Sequence, residues 1–259
     1  PLILVFLRDL TEQRRLDQLR SDFIANASHE IKTPLASLLG FIETLQGAAR
    51  HDEEARERFL QIMATQAARM ARLIDNLMSL SRIEMHAHLK PQDPISISEV
   101  VSQACDALEP MAAEANVRVA SRCLLEGATV LGDRDELIQV FINLVHNAIK
   151  YGKPGGTVSV HMERRPAALG PRIAITIADD GPGIASQHLP RLTERFYRVA
   201  SASALEKGGT GLGLAIVKHV VNRHRGELQI VSEEGKGSAF TVVLAEHDAG
   251  PIPAATVRH

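Results

Sequence analysis

The chain has 259 residues, enough for two domains, with 45% hydrophobic and 23% charged residues. This balance is typical of globular proteins and not of disordered chains. A net charge of −2 lacks the basic excess that binding to a phosphate backbone requires, so no nucleic-acid partner is expected. Two cysteines, Cys105 and Cys123, do not make a disulfide framework or a metal-binding pair, and fit a reduced cytosolic compartment.

The chain opens with a short apolar run, Leu2–Leu7, which is β-prone and closed by Arg8 to Thr11. The run is far shorter than the ~20 residues that a membrane helix needs, so no membrane contact is expected within this chain. It is interpreted as the last strand of a domain truncated upstream, which makes residues 1–11 a terminal fragment. The start at Pro1 instead of Met predicts a fragment or a processed product.

Two long amphipathic helices are predicted next, the first from Glu12 and the second from about Glu53 to Met85. In the first, apolar residues recur every three or four positions, interrupted only by Pro34. A turn is predicted around Gly47 to Asp52. Each apolar stripe is wider than one partner helix can cover, which favours a symmetric dimer with a four-helix bundle.

The segment Lys90–Pro94 contains two prolines and predicts a domain boundary, with a helical hairpin at 12–90 and a second domain at 95–247. In the second domain helices and strands mix in an α+β arrangement. Helices are predicted at Ser98–Ala115, Arg134–Tyr151 and Leu212–Arg223, and strands at Val117–Cys123, Thr129–Gly132, Thr157–Arg164, Arg172–Asp179, Glu227–Glu233 and Ser238–Ala245. Residues 248–259 are expected to form a mobile tail.

The first chemical motif is Ser28–Pro34 (SHEIKTP) on the first helix. His29 and Thr33 are one helical turn apart and share a face. Glu30 can hydrogen-bond one ring nitrogen of His29 and leave the other nitrogen nucleophilic. Pro34 predicts a bend just past the histidine. Taken alone, the motif is explained more simply by an ordinary exposed helical histidine beside an i, i+3 pair.

The second motif, Asn143–Tyr151 (NLVHNAIKY), places Asn143, Asn147 and Lys150 on one edge of a helix. Amide oxygens suit Mg²⁺, and a lysine suits a phosphate. A solvated polar face remains the alternative explanation of this pattern.

Two glycine-rich motifs and an arginine-rich segment follow. Asp179–Ile184 (DDGPGI) ends an apolar strand, where a carboxylate can bind a purine amino group and glycines let a ligand approach, although such residues are also common in turns. Gly208–Lys218 begins a helix with clustered glycines whose N–H groups can bind an anion. The spacing fits neither a Rossmann fingerprint nor a Walker A loop. Between them, Glu194–Arg198 (ERFYR) has the composition of a phosphate-covering lid.

In this order, the motifs resemble those of the sensor histidine kinases of bacterial two-component systems. Ser28–Leu35 looks like the H box, Asn143–Tyr151 the N box, Asp179–Gly183 the G1 box and Gly209–Leu214 the G2 box. Glu194–Arg198 resembles the F box, although Leu192 and Thr193 stand where an aromatic residue often precedes the glutamate. The resemblance covers nearly the whole chain.

The resemblance implies a dimeric four-helix bundle followed by a Bergerat-type ATP-binding α/β sandwich. It implies that His29 attacks the γ-phosphate of ATP and that Glu30 orients or deprotonates the His29 ring. The phosphoryl group would then pass to an aspartate on the receiver domain of a response regulator. Thr33 resembles the threonine that supports regulator dephosphorylation in bifunctional members. Asn143 would hold Mg²⁺. The other residues implied to contact the nucleotide are Asn147, Lys150, Tyr151, Asp179, Gly181, Gly183, Arg195, Arg198, Gly209, Thr210, Gly211, Leu212 and Gly213.

Leu4–Glu12 looks like the terminal strand and exit motif of a PAS sensor domain that continues into the first helix. That arrangement resembles phosphate-regulon sensor kinases in particular. The resemblance also implies a catalytic region in the cytoplasm and a full-length protein anchored in the inner membrane.

Two alternatives share the nucleotide fold but predict no phosphohistidine. A stand-alone ATPase of the gyrase and chaperone superfamily is disfavoured by the H box, and by Gln139 where a water-activating carboxylate is expected. A non-catalytic dimeric adaptor is disfavoured by the intact Asn143, Asp179 and glycine cluster.

Overall fold

A computed structural model of the chain describes residues 10–85, 89–122, 125–168, 170–199 and 209–247. The predictions for residues 1–9 and for the tail at 248–259 lie outside these ranges. The chain divides into two compact units between Asp75 and Asn76. Within the described ranges, no helix combines the length and the hydrophobicity that crossing a membrane requires.

The first unit is an antiparallel pair of helices, α1 (Thr11–Gln46) and most of α2 (Glu53–Met85). Phe41 contacts Phe59 with ring centroids 5.3 Å apart, and Glu30 pairs with Arg69 at 3.2 Å. The later residue of α1 thus contacts the earlier residue of α2, as in antiparallel helices. The connecting turn contains the buried Ala49. The predicted hairpin is confirmed, and α1 continues through Pro34.

Apolar side chains remain exposed on both helices of this unit, which shows that pairing α1 with α2 covers only part of the predicted stripes. This set comprises Ile24, Leu35, Leu39, Ile42, Leu60 and Ile74.

The second unit contains a five-stranded sheet in the order β2-β4-β5-β7-β6. β2 and β4 are parallel, and the other neighbours are antiparallel. A separate antiparallel pair joins β1 to β3. The strands are β1 (Asp93–Ser96), β2 (Arg118–Arg122), β3 (Thr129–Gly132), β4 (Thr157–Arg165), β5 (Arg172–Asp179), β6 (Glu227–Glu233) and β7 (Gly237–Ala245).

Three helices provide the other layer, namely α3 (Ile97–Glu114), α4 (Arg134–Tyr151) and α5 (Gly213–Arg223). In β4, alternate residues are buried, namely Val158, Val160 and Met162, because one face of this strand supplies the core, whereas β5 and β7 bury consecutive residues. The apolar faces of the helices supply the rest of that core. The predicted α/β sandwich is therefore confirmed.

Two elements were not predicted. β1 begins at the end of Lys90–Pro94, which was predicted as a domain boundary, and Ser186–Arg191 forms a 3₁₀ helix. Pro94 is compatible with a strand here because β1 pairs on one side only, with β3, so the missing N–H can face away from the ladder. The four residues of β1, DPIS, also contain a single aliphatic side chain, Ile95, so the sequence shows no alternation there.

Candidate nucleotide-binding and phosphoacceptor sites

The polar edge of α4 forms one wall of a candidate nucleotide site. The helix starts at the N-cap Asp133, whose carboxylate accepts the N–H groups of Asp135 and Glu136, each at 3.1 Å. Its apolar face is anchored in the core, which leaves Asn143 half-buried on the opposite edge. The Asn143 Nδ2 atom is buried and has no hydrogen-bond partner among the described residues. A buried amide without a partner is costly, so this edge suits a polar ligand.

The turn after β5 places the two aspartates in different roles. Asp179 Oδ1 accepts the N–H of Gly181 at 2.9 Å, and burial raises the pKa of its carboxyl above the usual range, with the neighbouring hydrogen bonds opposing that shift. Asp180 instead accepts the N–H of Thr157 at 3.2 Å and pairs with Lys153 at 3.5 Å. Asp180 therefore holds the turn against β4, a structural role that the sequence did not indicate.

Gly183 and Gly181 allow the close contacts of this turn. Gly183 has φ +71°, and a Cβ atom there would lie 2.0 Å from the carbonyl oxygen of Glu233. A Cβ atom on Gly181 would lie 2.6 Å from the carbonyl oxygen of Tyr151, so the turn lies directly beside the C-terminal end of α4.

The glycine loop, residues Gly209–Gly213 at the start of α5, lies over the same edge of α4. A Cβ atom on Gly209 would lie 3.1 Å from Lys150 Nζ and 3.6 Å from the Tyr151 hydroxyl. A Cβ atom on Gly213 would lie 3.1 Å from Asn143 Oδ1. The second, third and fourth motifs therefore meet around the C-terminal half of α4.

The three remaining members of the glycine loop have structural contacts of their own. Leu212 is fully buried, so only its backbone can face a ligand, and its N–H donates to Thr210 Oγ1 at 3.3 Å. Gly211 has φ +67° and its carbonyl accepts the N–H of Phe196 at 2.8 Å. This bond fastens the arginine-rich segment to the glycine loop.

Phe196 itself has a positive φ of 63°, a conformation that a bulky residue adopts only under constraint. Tyr197 anchors the same segment, because its hydroxyl lies 2.7 Å from His188 Nδ1 and its ring lies under Arg191. Burial raises the pKa of the Tyr151 phenol, and the charge of Arg198, the next residue of the segment, opposes that shift. The arginine-rich segment thus reaches the C-terminal end of α4.

The predicted phosphoacceptor motif lies in the first unit, on α1. His29 is exposed, and the Thr33 hydroxyl donates to the His29 carbonyl at 3.2 Å. The Glu30 carboxylate pairs with Arg69 of α2, a partner that sequence reasoning missed. Pro34 is buried. The side chain of Glu30 is thereby held beside an exposed histidine.

No described cluster of three or more His, Cys, Asp or Glu side chains is arranged to hold a metal ion. Asn143, the one predicted metal ligand, has the right chemistry, since its amide oxygen is a ligand type that Mg²⁺ accepts while it keeps several waters. Asn147 lies one turn further along α4 and is half-buried. These residues fit a magnesium ion that is bound together with a nucleotide.

Known families match both units. Residues 19–86 match the His Kinase A (phospho-acceptor) domain, and residues 132–248 match the Histidine kinase-, DNA gyrase B-, and HSP90-like ATPase. The phosphate regulon sensor protein PhoR of Pseudomonas aeruginosa is 39% identical over 93% of this chain. The chain spans 54% of the length of that relative.

Solved structures show the same fold. The full-length kinase ShkA in complex with AMPPNP is 25% identical and covers 92% of this chain and 48% of its own, with a TM-score of 0.63. The histidine kinase ThkA in complex with the response regulator protein TrrA covers 92% of this chain and 64% of its own at 19% identity, with a TM-score of 0.69, and supports the fold alone.

The phosphoacceptor and ATPase domains thus follow one another in the order that the sequence motifs predicted. The chain belongs to the sensor histidine kinases of two-component signalling.

Proposed function

We propose that this chain binds Mg-ATP on the polar edge of α4 and phosphorylates its own His29. The observation that carries the proposal is the convergence of three motifs on one helix edge, where Asn143 Nδ2 is buried without a partner among the described residues. His29 supplies an exposed nucleophile on the hairpin. ShkA, a kinase of the same fold, binds the ATP analogue AMPPNP.

Each wall of the site has a distinct proposed role. Asp179 accepts a hydrogen bond from the adenine amino group, and Lys150 and Tyr151 lie under the phosphates with the glycine loop above them. Asn143 would hold Mg²⁺ through its amide oxygen, and the ion would supply positive charge against the phosphates. Arg195 and Arg198 approach the phosphates from the segment that Phe196 fastens to Gly211.

In the transfer step a ring nitrogen of His29 forms a bond to the γ-phosphorus while the bond to the bridging oxygen of ADP breaks. Glu30 orients the ring or takes the proton from its other nitrogen, and Arg69 holds that carboxylate in place. The phosphoryl group then passes to an aspartate on the receiver domain of a response regulator. ThkA, crystallised with the regulator TrrA, gives a precedent for this partner.

We further propose that the functional particle is a homodimer. The exposed apolar side chains of the hairpin, Leu35, Leu39 and Leu60 among them, would be covered by a second copy in a four-helix bundle. The hairpin domain is proposed to span residues 12–90 and the ATP-binding domain residues 95–247. Because the chain spans about half of the length of its curated relative, a membrane-anchored full-length protein with a catalytic region in the cytoplasm is also a proposal.

Incubation with Mg-ATP labelled at the γ-phosphate tests the main proposal. The chain is expected to acquire an acid-labile, alkali-stable label, and His29→Ala is expected to acquire none, because the nucleophile is gone. His51→Ala, which removes another exposed histidine of the hairpin, is the matched control and should be labelled like the wild type. Light scattering on the same sample should give twice the mass of the 28.2 kDa chain. Equal labelling of wild type and His29→Ala would contradict the proposal.

Thr33 provides a second activity to measure. We propose that its hydroxyl positions the water that hydrolyses the aspartyl phosphate of the regulator. Thr33→Ala is expected to slow dephosphorylation of the regulator by about tenfold, the size of effect that loss of one hydrogen bond to a reacting group can have. Labelling of His29 should change little. Thr65→Ala removes a hydroxyl with the same backbone contact on α2 and serves as the control. Unchanged dephosphorylation in Thr33→Ala would rule out this role.

A further inference from the structure

The last turns of α2, which belong to the second unit, lie beside the predicted phosphate-binding segments. Asn76 Nδ2 donates to Thr210 Oγ1 of the glycine loop at 3.2 Å. Two turns later, the Glu84 carboxylate accepts a hydrogen bond from the Arg195 guanidinium. The helix therefore contacts both the glycine loop and the arginine-rich segment.

Glu84 is the acidic member of a largely basic group. Its carboxylate also lies 3.8 Å from His219 Nε2 of α5, and Lys218 precedes that histidine. Burial lowers the pKa of His219, the charge of Arg195 lowers it further, and Glu84 opposes both. At neutral pH the main attraction at Glu84 is therefore the one to Arg195.

Arg195 is adjacent in sequence to the residue that joins the arginine-rich segment to the glycine loop. The next residue, Phe196, donates its N–H to the carbonyl of Gly211, so Arg195 cannot be far from the glycine loop. A guanidinium binds carboxylates and phosphates through the same planar N–H groups. The N–H group that binds Glu84 cannot bind a phosphate oxygen equally well at the same time.

We propose that Glu84 is a positioning residue that holds Arg195 on α2 in competition with the phosphates of the nucleotide. The inference rests on the proposed nucleotide site. Nucleotide binding then has to replace the Glu84–Arg195 pair, and the apparent affinity is reduced by the fraction of chains in which the pair is formed. By reciprocity, any change that moves the end of α2 away from Arg195 strengthens nucleotide binding, and bound nucleotide loosens this contact of α2.

Titration of the 259-residue chain with the Mg complex of a non-hydrolysable ATP analogue tests the competition. Glu84→Gln keeps the size of the side chain and removes its charge. It is expected to lower the Kd by about two- to fivefold, the range for a partly exposed ion pair. Asp75→Asn makes the same charge change at an exposed site on α2 and should leave the Kd within experimental error. An unchanged or higher Kd in Glu84→Gln overturns the inference, and so does an equal gain in Asp75→Asn.

A double-mutant cycle separates this inference from the proposed site. Arg195→Ala should weaken binding, and in its background Glu84→Gln should have no further effect, since Glu84 acts through Arg195. A persistent gain in that background overturns the inference but not the site. If Arg195→Ala binds the analogue as the wild type does, the proposed contact between Arg195 and the phosphates is wrong. The proposed competition between Glu84 and the phosphates is then wrong as well.

Discussion

Gly211→Ala is expected to weaken Mg-ATP binding by about tenfold or more, whereas Gly235→Ala should change it less than about twofold. Both glycines have a positive φ, +67° and +82°, so both substitutions bring similar backbone strain. They differ in the space available. A Cβ atom on Gly211 would lie 2.7 Å from the Cα and carbonyl carbon of Phe196, while a Cβ atom on Gly235 meets nothing within 4 Å.

The position of the added Cβ atom is fixed by the backbone of residue 211, and the atoms that it would meet are backbone atoms of Phe196. No side-chain rotation can therefore relieve the contact. The Phe196–Gly211 hydrogen bond has to break or the glycine loop has to move, and either change displaces the surface that covers Lys150 and Tyr151. Calorimetric titration of both variants with a non-hydrolysable Mg-ATP analogue measures the effect. Thermal unfolding in the absence of nucleotide shows whether each variant is folded. Equal affinities for folded Gly211→Ala and Gly235→Ala would show that the glycine loop does not shape the site.

His224→Leu is expected to lower the free energy of unfolding by about 1–3 kcal/mol at pH 7.5, the cost of leaving buried polar groups without partners. His224 is buried at the C-terminal end of α5. Its Nε2 accepts the N–H of Asp133, the N-cap of α4, at 2.9 Å. Its Nδ1 lies 2.8 Å from the carbonyl oxygen of Val220, which can only accept, so Nδ1 carries the proton. Leucine fills similar volume but supports neither bond.

The same residue makes stability depend on pH with a defined sign. Burial is the main cause that lowers the pKa of His224, and the charge of Arg223 lowers it further. The folded state therefore binds this proton less readily than the unfolded state, in which the pKa is about 6.5. The contribution is fully present above about pH 6.5 and is lost as pH falls from there towards the lower folded pKa. Protonation also places a second N–H against the donor of Asp133.

Chemical denaturation between about pH 5 and 7.5 measures this dependence. His224→Gln cannot titrate and can still offer an acceptor, so its stability should fall less steeply with pH than that of the wild type. The residual slope should include His219, whose pKa burial also lowers. His51→Gln, which replaces an exposed histidine of the hairpin, is the control that shows whether a change in slope is specific to His224. A wild-type slope in His224→Gln would show that His224 does not contribute to the pH dependence.

Long elements with a strong pattern could be predicted from the sequence. The helix at Arg134–Tyr151 and the strand at Arg172–Asp179 have the predicted bounds, because a buried face repeats over many residues and the flanking residues end each element. Among the short elements, β3 was predicted with its bounds, whereas β1 and the 3₁₀ helix at Ser186–Arg191 were missed. The roles of Asp180 and Arg69 were missed for another reason, since each depends on a partner from a different segment.

The sequence by itself determined the order of the motifs, the helical hairpin, the α+β character of the second domain and the family of the chain. These follow from hydrophobic period, from prolines and glycines at element ends, and from residue types at short spacing. Only the tertiary structure decided which motif faces which. The glycine loop lies over Lys150 and Asn143, and Arg195 meets Glu84 across 111 positions of the chain. Such contacts depend on how the packed helices and strands bring side chains from distant parts of the chain together. A pattern of neighbouring residues does not show which distant residues will meet.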